Sequence, residues 1–445
     1  MPSSNQSSRV LIVGGTGRVG GRVSLHIRRT HPSINIVICG RNQTNGNKVI
    51  DQLNSISGSG KISFQYVDVD QPDLVQSILQ SNDTVVNAAG PYQLAEPILL
   101  QQCVLKGNID YIDICDDIYH AKKSISTLHQ KAIDSNVRAI ICCGPFPGVD
   151  NIIASKLQDD CIADGSTADT CQLRFFVAGT GGAGSTVVTT TYMLSMVPMT
   201  AYVDNKKQKL MAMTRREYVD FGGCVGIRPT YHFELPEVVS LHENNKFKTI
   251  DSKFGIAPDC WNWLTWFYAQ FMWWAMTNKQ RVQKIVDWSW DSILYIDTIV
   301  GHSVGIQVRV KQNNNNKSTG RPLWRVVNYN SADTMSTIAL GVRVFVSELL
   351  NDKNLMKPGV YYPEQAINST KHRQQFLRNV SDALNEIGEY TEYTIDYDPT
   401  CHGTWYDSIV GITVSLASIT PGLKSIIADM KANKSKQFRF LQRHL

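Results

Sequence analysis

The residues best placed to do chemistry lie near the start of the chain. Gly14-Gly15-Thr16-Gly17-Arg18-Val19-Gly20 follows the apolar run RVLIV and opens a helical pattern in which Val23 and Ile27 are four apart. Read from Gly15, it matches G-x-G-x-x-G in the strand-to-helix setting that gives this spacing its meaning. One glycine makes the tight turn, the next lets backbone approach a pyrophosphate, and the last lets the helix pack on the strand. Helix N-terminal N–H groups then meet the phosphate charge. The whole turn, Gly14 to Gly20, is expected to cradle a dinucleotide.

Two further strand ends extend that expectation. The second apolar run, INIVIC, ends in Gly40-Arg41-Asn42 with no Asp or Glu for ribose hydroxyls. Arg41 offers a fork of donors for a 2′-phosphate, which favours NADP over NAD. The run TVVNA ends in Asn87-Ala88-Ala89-Gly90-Pro91, where small residues form a ledge for a flat cofactor. Tyr92 follows it directly and is expected to face the crevice. Tyr92, Asp113 and Asp150 are the candidate catalytic groups, since reduction needs a proton donor near the reacting carbon. His120, and the acids Asp116 and Asp117, lie beside the same strand ends. A second glycine-rich turn, Gly179 to Gly184, precedes a helix. It reads equally as an anion site for a substrate carboxylate or as a domain-connecting loop.

The elements that must hold these residues alternate strand and helix up to about Asp150. That rhythm predicts an α/β fold, a Rossmann-type doubly wound parallel sheet, over 1–150. A second, mixed α/β domain, the substrate or dimerisation domain, is expected over 151–330. Strands are expected at 172–178, 231–241, 303–311 and 323–329, with QNNNNKSTGRP as a hairpin loop. A helix within 331–370 is expected to return to the Rossmann domain, leaving 371–445 as an extension. Its last stretch carries Lys424, Lys431, Lys434, Lys436, Arg439 and Arg443 against Asp429.

Composition narrows the function classes. The 445 residues are 42% hydrophobic and 19% charged, enough for a sizeable core. A net charge of +5 over this length gives no reason to expect nucleic-acid binding. The 10 cysteines form no CxxC pair, so reduced thiols and no metal site are expected. The polar start MPSSNQSS lacks the apolar core of a signal peptide, and a cytoplasmic location is expected. Cys260 to Met276 holds five of the nine tryptophans and no charge. It reads as a buried helix, a homodimer contact, or an interfacial anchor for a membrane or lipid droplet.

Taken together, VLIVGGTGRVG, VVNAAGPY, YIDICDD and GPFPGVDNIIA resemble the saccharopine dehydrogenase-like (saccharopine reductase-like) family over roughly the first third of the chain. AGTGGAGSTVVTTTYML and KPGVYYPEQ resemble later segments of some members. The resemblance implies a Rossmann domain, an α/β substrate domain, and a chain that returns to the first domain near its end. It implies NAD(P)-linked oxidoreduction at a C–N bond, with hydride from NADPH reducing an imine or a related carbonyl of a small-molecule substrate. The segment Gly144 to Asn151 and the aromatic stretch depart from several members and point away from saccharopine itself. The alternative reading is a non-catalytic dinucleotide-binding protein on a lipid surface or protein partner.

Overall fold

Strands buried on both faces carry unbroken apolar runs, and the first half of the chain is built from them. The computed structural model describes residues 9–399 apart from 94, 277, 316–321, 353–355, 386, 397 and 398. β1 (Arg9–Val13), β2 (Asn35–Gly40), β3 (Ile62–Tyr66), β4 (Asp83–Asn87), β5 (Asp110–Asp113) and β6 (Arg138–Ile140) are all parallel. They alternate with α1 (Arg18–Thr30), α2 (Gln43–Asn54), α3 (Pro72–Ile78), α4 (Ile98–Lys106) and α5 (Ile118–Asp134), and α6 (Val149–Ala163) follows β6. The order β3-β2-β1-β4-β5-β6 is doubly wound, with its switch point between β1 and β4. Register makes the carboxyl ends flush: Val13 lies opposite both Cys39 and Asn87, and Asn87 opposite Asp113. One sheet edge therefore collects the glycine turn, Gly40-Arg41, Ala88 to Pro91 and the acids after β5.

The second layer system comprises β7 (Thr170–Ala178), α7 (Ser185–Ser195), β8 (Met199–Val203), β9 (Lys206–Leu210), β10 (Glu217–Asp220) and β11 (Ile227–His232). It continues with α8 (Pro236–Asn245), β12 (Thr249–Ala257), α9 (Asp259–Phe271), α10 (Trp273–Met276), α11 (Lys279–Val300), β13 (Ser303–Asn315) and β14 (Pro322–Ser331). Then come α12 (Thr334–Asn351), β15 (Gly359–Tyr361), α13 (Pro363–Ala366), α14 (Thr370–Leu384) and β16 (Gly388–Ile395). The second sheet runs β10-β11-β12-β7-β13-β14-β16, mixed in direction, with β8 and β9 as a side hairpin. α12 packs on α1, and β15 adds a seventh parallel strand beside β6.

Two sequence expectations change here. Residues 231–241 are not one strand, because β11 stops at His232 and Pro236, fixed in φ and lacking an N–H, opens α8. Residues beyond 370 are no mere extension, since α14 and β16 complete the second domain. The expected hairpin loop falls largely outside the described residues, and so does the basic tail.

The aromatic stretch is two helices with an inverted pattern. Asn262 and Thr265 are buried, with Asn262 donating to the Ile256 carbonyl (2.7 Å) and accepting from its N–H (3.1 Å). Gln270 donates to the Ala212 carbonyl at 3.0 Å. Polar side chains thus tether α9, while Trp263, Phe267, Phe271, Trp273 and Trp274 face outward, joined by Trp288 of α11. Among the described residues no helix is long and apolar enough to cross a membrane.

Candidate functional site between the domains

The glycine turn is held by backbone alone. Gly14 and Gly15 donate to the Cys39 carbonyl at 3.0 and 3.1 Å, and Gly17 donates to the Gly14 carbonyl at 2.9 Å. Gly14 sits at φ +80, where a Cβ would meet the Ala88 carbonyl carbon at 2.6 Å. A Cβ at Gly40 would meet Thr16 Oγ1 at 2.5 Å, so the end of β2 stays open only because it is glycine. Gly17 caps α1 with no side-chain acceptor. The first-turn amides, those of Arg18, Val19 and Gly20, therefore need an outside partner. An uncapped helix N-terminus whose cap lacks a Cβ fits a pyrophosphate.

The side chain of Arg18 does something else. Its guanidinium donates to the Gly182 and Ala183 carbonyls, each at 3.0 Å, and lies 5.9 Å from the Trp290 ring centroid. It ties the cofactor turn to the second glycine-rich loop, so only its backbone N–H belongs to the cradle. Arg41 is exposed at the end of β2, beside Asn42, which caps α2 by accepting from Asn45 N–H at 2.9 Å. Its fork of donors is available to a 2′-phosphate.

At the end of β4, Ala88 and Ala89 are half-buried and Gly90 is exposed. Asn87 is a strut beneath them: its Nδ2 donates to Tyr111 Oη (3.0 Å) and its Oδ1 accepts from Ala89 N–H (3.1 Å). Tyr92 turns away from the crevice. It is buried, donates its hydroxyl to the Asn87 carbonyl at 2.7 Å, and packs edge-on against His120. Burial, then the charge of Asp113, pushes its pKa well up. Asp113 is fully buried too. Its Oδ1 accepts from the Cys142 (2.8 Å) and Cys115 (3.1 Å) N–H groups and so locks the ends of β5 and β6 together. Burial raises its pKa and those of both thiols, which are held neutral. Asp150 is buried at the start of α6, its Oδ1 accepting from Gly148 and Asn151 N–H at 2.9 Å each. Burial pushes it up to about 7.

The groups where the two domains meet were less visible in sequence. Asp116, after β5, is partly exposed and accepts from Gln93 Nε2 at 2.9 Å. Burial pushes its pKa up to about 6, against the hydrogen bond from Gln93. Gln93 in turn accepts from Thr190 Oγ1 of α7 at 3.1 Å, so the two domains meet over Asp116. Across the cleft, Thr180 N–H donates to Asp297 Oδ1 at 2.8 Å, and exposed His302 places Nε2 3.4 Å from Asp297 Oδ2. Strand-end position flagged Asp116. Nothing local flagged Gln93, Thr190 or His302.

A doubly wound sheet with a glycine-rich turn at its switch point, packed against a second, mixed sheet, defines a Rossmann-type two-domain α/β protein. Residues 10–140 match the family described as "Saccharopine dehydrogenase NADP binding domain". The first domain is thus similar to an NADP-binding domain of saccharopine dehydrogenase type.

Curated relatives include the "Trans-acting enoyl reductase" of Mycobacterium ulcerans (strain Agy99), 23% identical over 144 residues, which are 32% of this chain and 34% of that one. The protein of the same name from Mycobacterium tuberculosis (strain ATCC 25618 / H37Rv) matches with the same identity and coverage. The similarity thus spans about a third of these relatives' length. In structure, the apo saccharopine dehydrogenase (L-Glu forming) from Saccharomyces cerevisiae superposes with a TM-score of 0.62 at 13% identity, covering 87% of this chain and all of that one. That likeness establishes the shared fold.

Proposed function

We propose that this protein is an NADP-dependent oxidoreductase that reduces an imine or carbonyl of a small-molecule substrate. The observation that carries this reading is the placement of Asp116 in the cleft, at the sheet edge that also bears the cradle and the small-residue ledge. NADPH, when bound, supplies the hydride. The first-turn amides of α1 bind its pyrophosphate and Arg41 its 2′-phosphate. Ala88 to Pro91 leave room for its flat ring, and Asp116, its pKa raised to about 6, takes up and passes a proton where the substrate enters. Tyr92 and Asp113 serve as positioning residues for the strand ends.

Thermal-shift titration with NADPH and NADH is the first test, followed by a screen of imines and carbonyls by loss of NADPH absorbance. Stabilisation by neither nucleotide overturns the reading. Arg41→Glu removes a charge-assisted contact of about 1.5–3 kcal/mol, so NADPH affinity falls roughly ten- to a hundredfold while NADH affinity holds. An unchanged NADPH preference would refute the 2′-phosphate assignment.

The outward aromatic face favours a second reading beside the first: peripheral contact with a lipid surface. Trp263, Phe267, Trp273, Trp274 and Trp288 supply interfacial side chains, and Arg281 and Lys284 basic ones. Vesicles containing anionic lipid should co-pellet the wild type. The triple serine variant at 273, 274 and 288 should stay in the supernatant. Equal pelleting of both rules the contact out.

A further inference from the structure

α11 joins the outward aromatic face to the place where the two domains meet. On one side of it Gln283, Trp290 and Asp297 recur every seven residues, and all three are committed to the protein. Gln283 Oε1 accepts from Thr189 Oγ1 of α7 at 2.9 Å. The next residue of α7, Thr190, donates to Gln93, which donates to Asp116. Trp290 stands 5.9 Å from the Arg18 guanidinium of the cofactor turn, and Asp297 accepts from Thr180 N–H at 2.8 Å. Two residues turn a helix by about 200°, so positions two away from this row lie on the opposite face. Those positions are Ile285, Trp288, Tyr295 and Ile299, and all four are exposed. They continue the aromatic stripe of α9 and α10, which pack in turn against each other and against α11.

A helix with its side chains is about 10–12 Å across. An interfacial helix sinks roughly 5–10 Å into the boundary between headgroups and acyl chains. With the outward row of α11 in lipid, its inward row stands near headgroup level, together with Arg18 and the Gln93–Asp116 pair that α7 supports. We propose that the substrate is an amphiphile carried in a lipid surface, with its hydrocarbon chain left in the lipid and its carbonyl or imine raised to Asp116. The proposal rests on the oxidoreductase reading and on the lipid contact. A water-soluble substrate gains nothing from this placement, whereas a lipid-borne one meets the site without leaving its surface. Hydride added to the carbon and a proton to the oxygen or nitrogen leave an alcohol or amine that stays in the same surface.

The test uses the intact protein with NADPH as reporter, because the reduced nicotinamide ring fluoresces. Vesicles of phosphatidylcholine and phosphatidylglycerol carry a nitroxide on some of their headgroups. They should quench bound NADPH in the wild type. The triple variant Trp273→Ser, Trp274→Ser and Trp288→Ser should bind NADPH and escape quenching. Should it fail to fold, Trp288→Ser alone, at a side chain 88% exposed, should lower the quenching. Hexadecanol or hexadecylamine in unlabelled vesicles should shift the fluorescence of bound NADPH, and butanol or butylamine at equal concentration should not. A wild type that pellets with vesicles and holds NADPH, yet shows no quenching, overturns the proposal and leaves both readings standing. So does a response to the short-chain pair as strong as to the long, or a response to neither. A wild type that stays in the supernatant, as it would with this face sealed in a dimer, overturns the lipid contact and the proposal together. Failure to bind NADPH overturns the oxidoreductase reading instead, and the proposal with it.

Discussion

Replacing Glu217 by alanine is expected to lower the unfolding temperature by roughly 10 °C, at about 2–4 °C per kcal/mol for a domain of this size. Glu217 is fully buried on β10 and accepts from three cations at once: Arg174 Nε of β7 (3.1 Å), Lys253 Nζ of β12 (2.8 Å) and Arg309 Nη1 of β13 (2.8 Å). Burial alone would raise its pKa. The charges of Arg174, Arg309 and Lys253 outweigh burial and hold it well below the usual carboxylate range. Without it, the one carboxylate among the described residues that still pairs with these three buried cations is Asp251, 3.1 Å from Arg174 and partly exposed. Removing one partner of a buried network costs about 3–5 kcal/mol, a large share of ordinary stability. The pH dependence has a definite sign. A folded-state pKa below the unfolded one gives stability that is present above about pH 4 and fades as acid protonates the group. Thermal unfolding from pH 7 down to pH 3 should therefore show a fall in the wild type that is smaller in Glu217→Gln. Lys248→Ala, which breaks an exposed pair with Asp169, should leave the unfolding temperature unchanged. A Glu217→Ala protein as stable as wild type would mean that the network is not holding β7, β10, β12 and β13 together.

That network also shows where the sequence stops being legible. The first domain reads easily because strands such as RVLIV and NIVICG are apolar throughout, and because the glycine turn stands between its strand and its helix. β13, SVGIQVRVKQNNN, alternates in a way that suggests one solvated face. Gln307 and Arg309 are in fact buried, because Glu217, 92 residues before Arg309, neutralises that face. β16 hides for the same kind of reason, since GEYTEYTI has only β14 to define its role. The aromatic stretch misleads differently. Periodicity cannot say which side of a helix faces the protein when Asn262 and Thr265 make the inward contacts. The run of small residues after β4 was legible, but the direction of Tyr92 was not. Its hydroxyl answers the carbonyl of Asn87, a bond only the folded turn creates.

The Gly20→Ala variant should lose NADPH binding, and the reason separates it from a milder change three residues earlier. A Cβ at Gly20 would lie 2.4 Å from the Gly14 oxygen, 2.7 Å from the Gly14 carbonyl carbon and 2.8 Å from the Gly15 Cα. All three are backbone, so no rotamer change relieves the clash, and α1 must move away from the end of β1. Overpacking of this kind costs about 1–3 kcal/mol. Because the strain falls on the amides that meet the pyrophosphate, affinity should drop on the order of a hundredfold, equivalent to about 2.7 kcal/mol. At Gly17 a Cβ meets only the Gly14 oxygen, at 3.2 Å, and its other sides are open. Gly17→Ala should therefore fold with nearly wild-type stability, yet bind more weakly, because the methyl group stands where phosphate approaches the backbone. Thermal unfolding without nucleotide, paired with NADPH titration by calorimetry, reads the two effects apart. Strong binding by Gly17→Ala, together with a stability loss in Gly20→Ala alone, would make the turn a packing device and leave the phosphate site to be sought elsewhere.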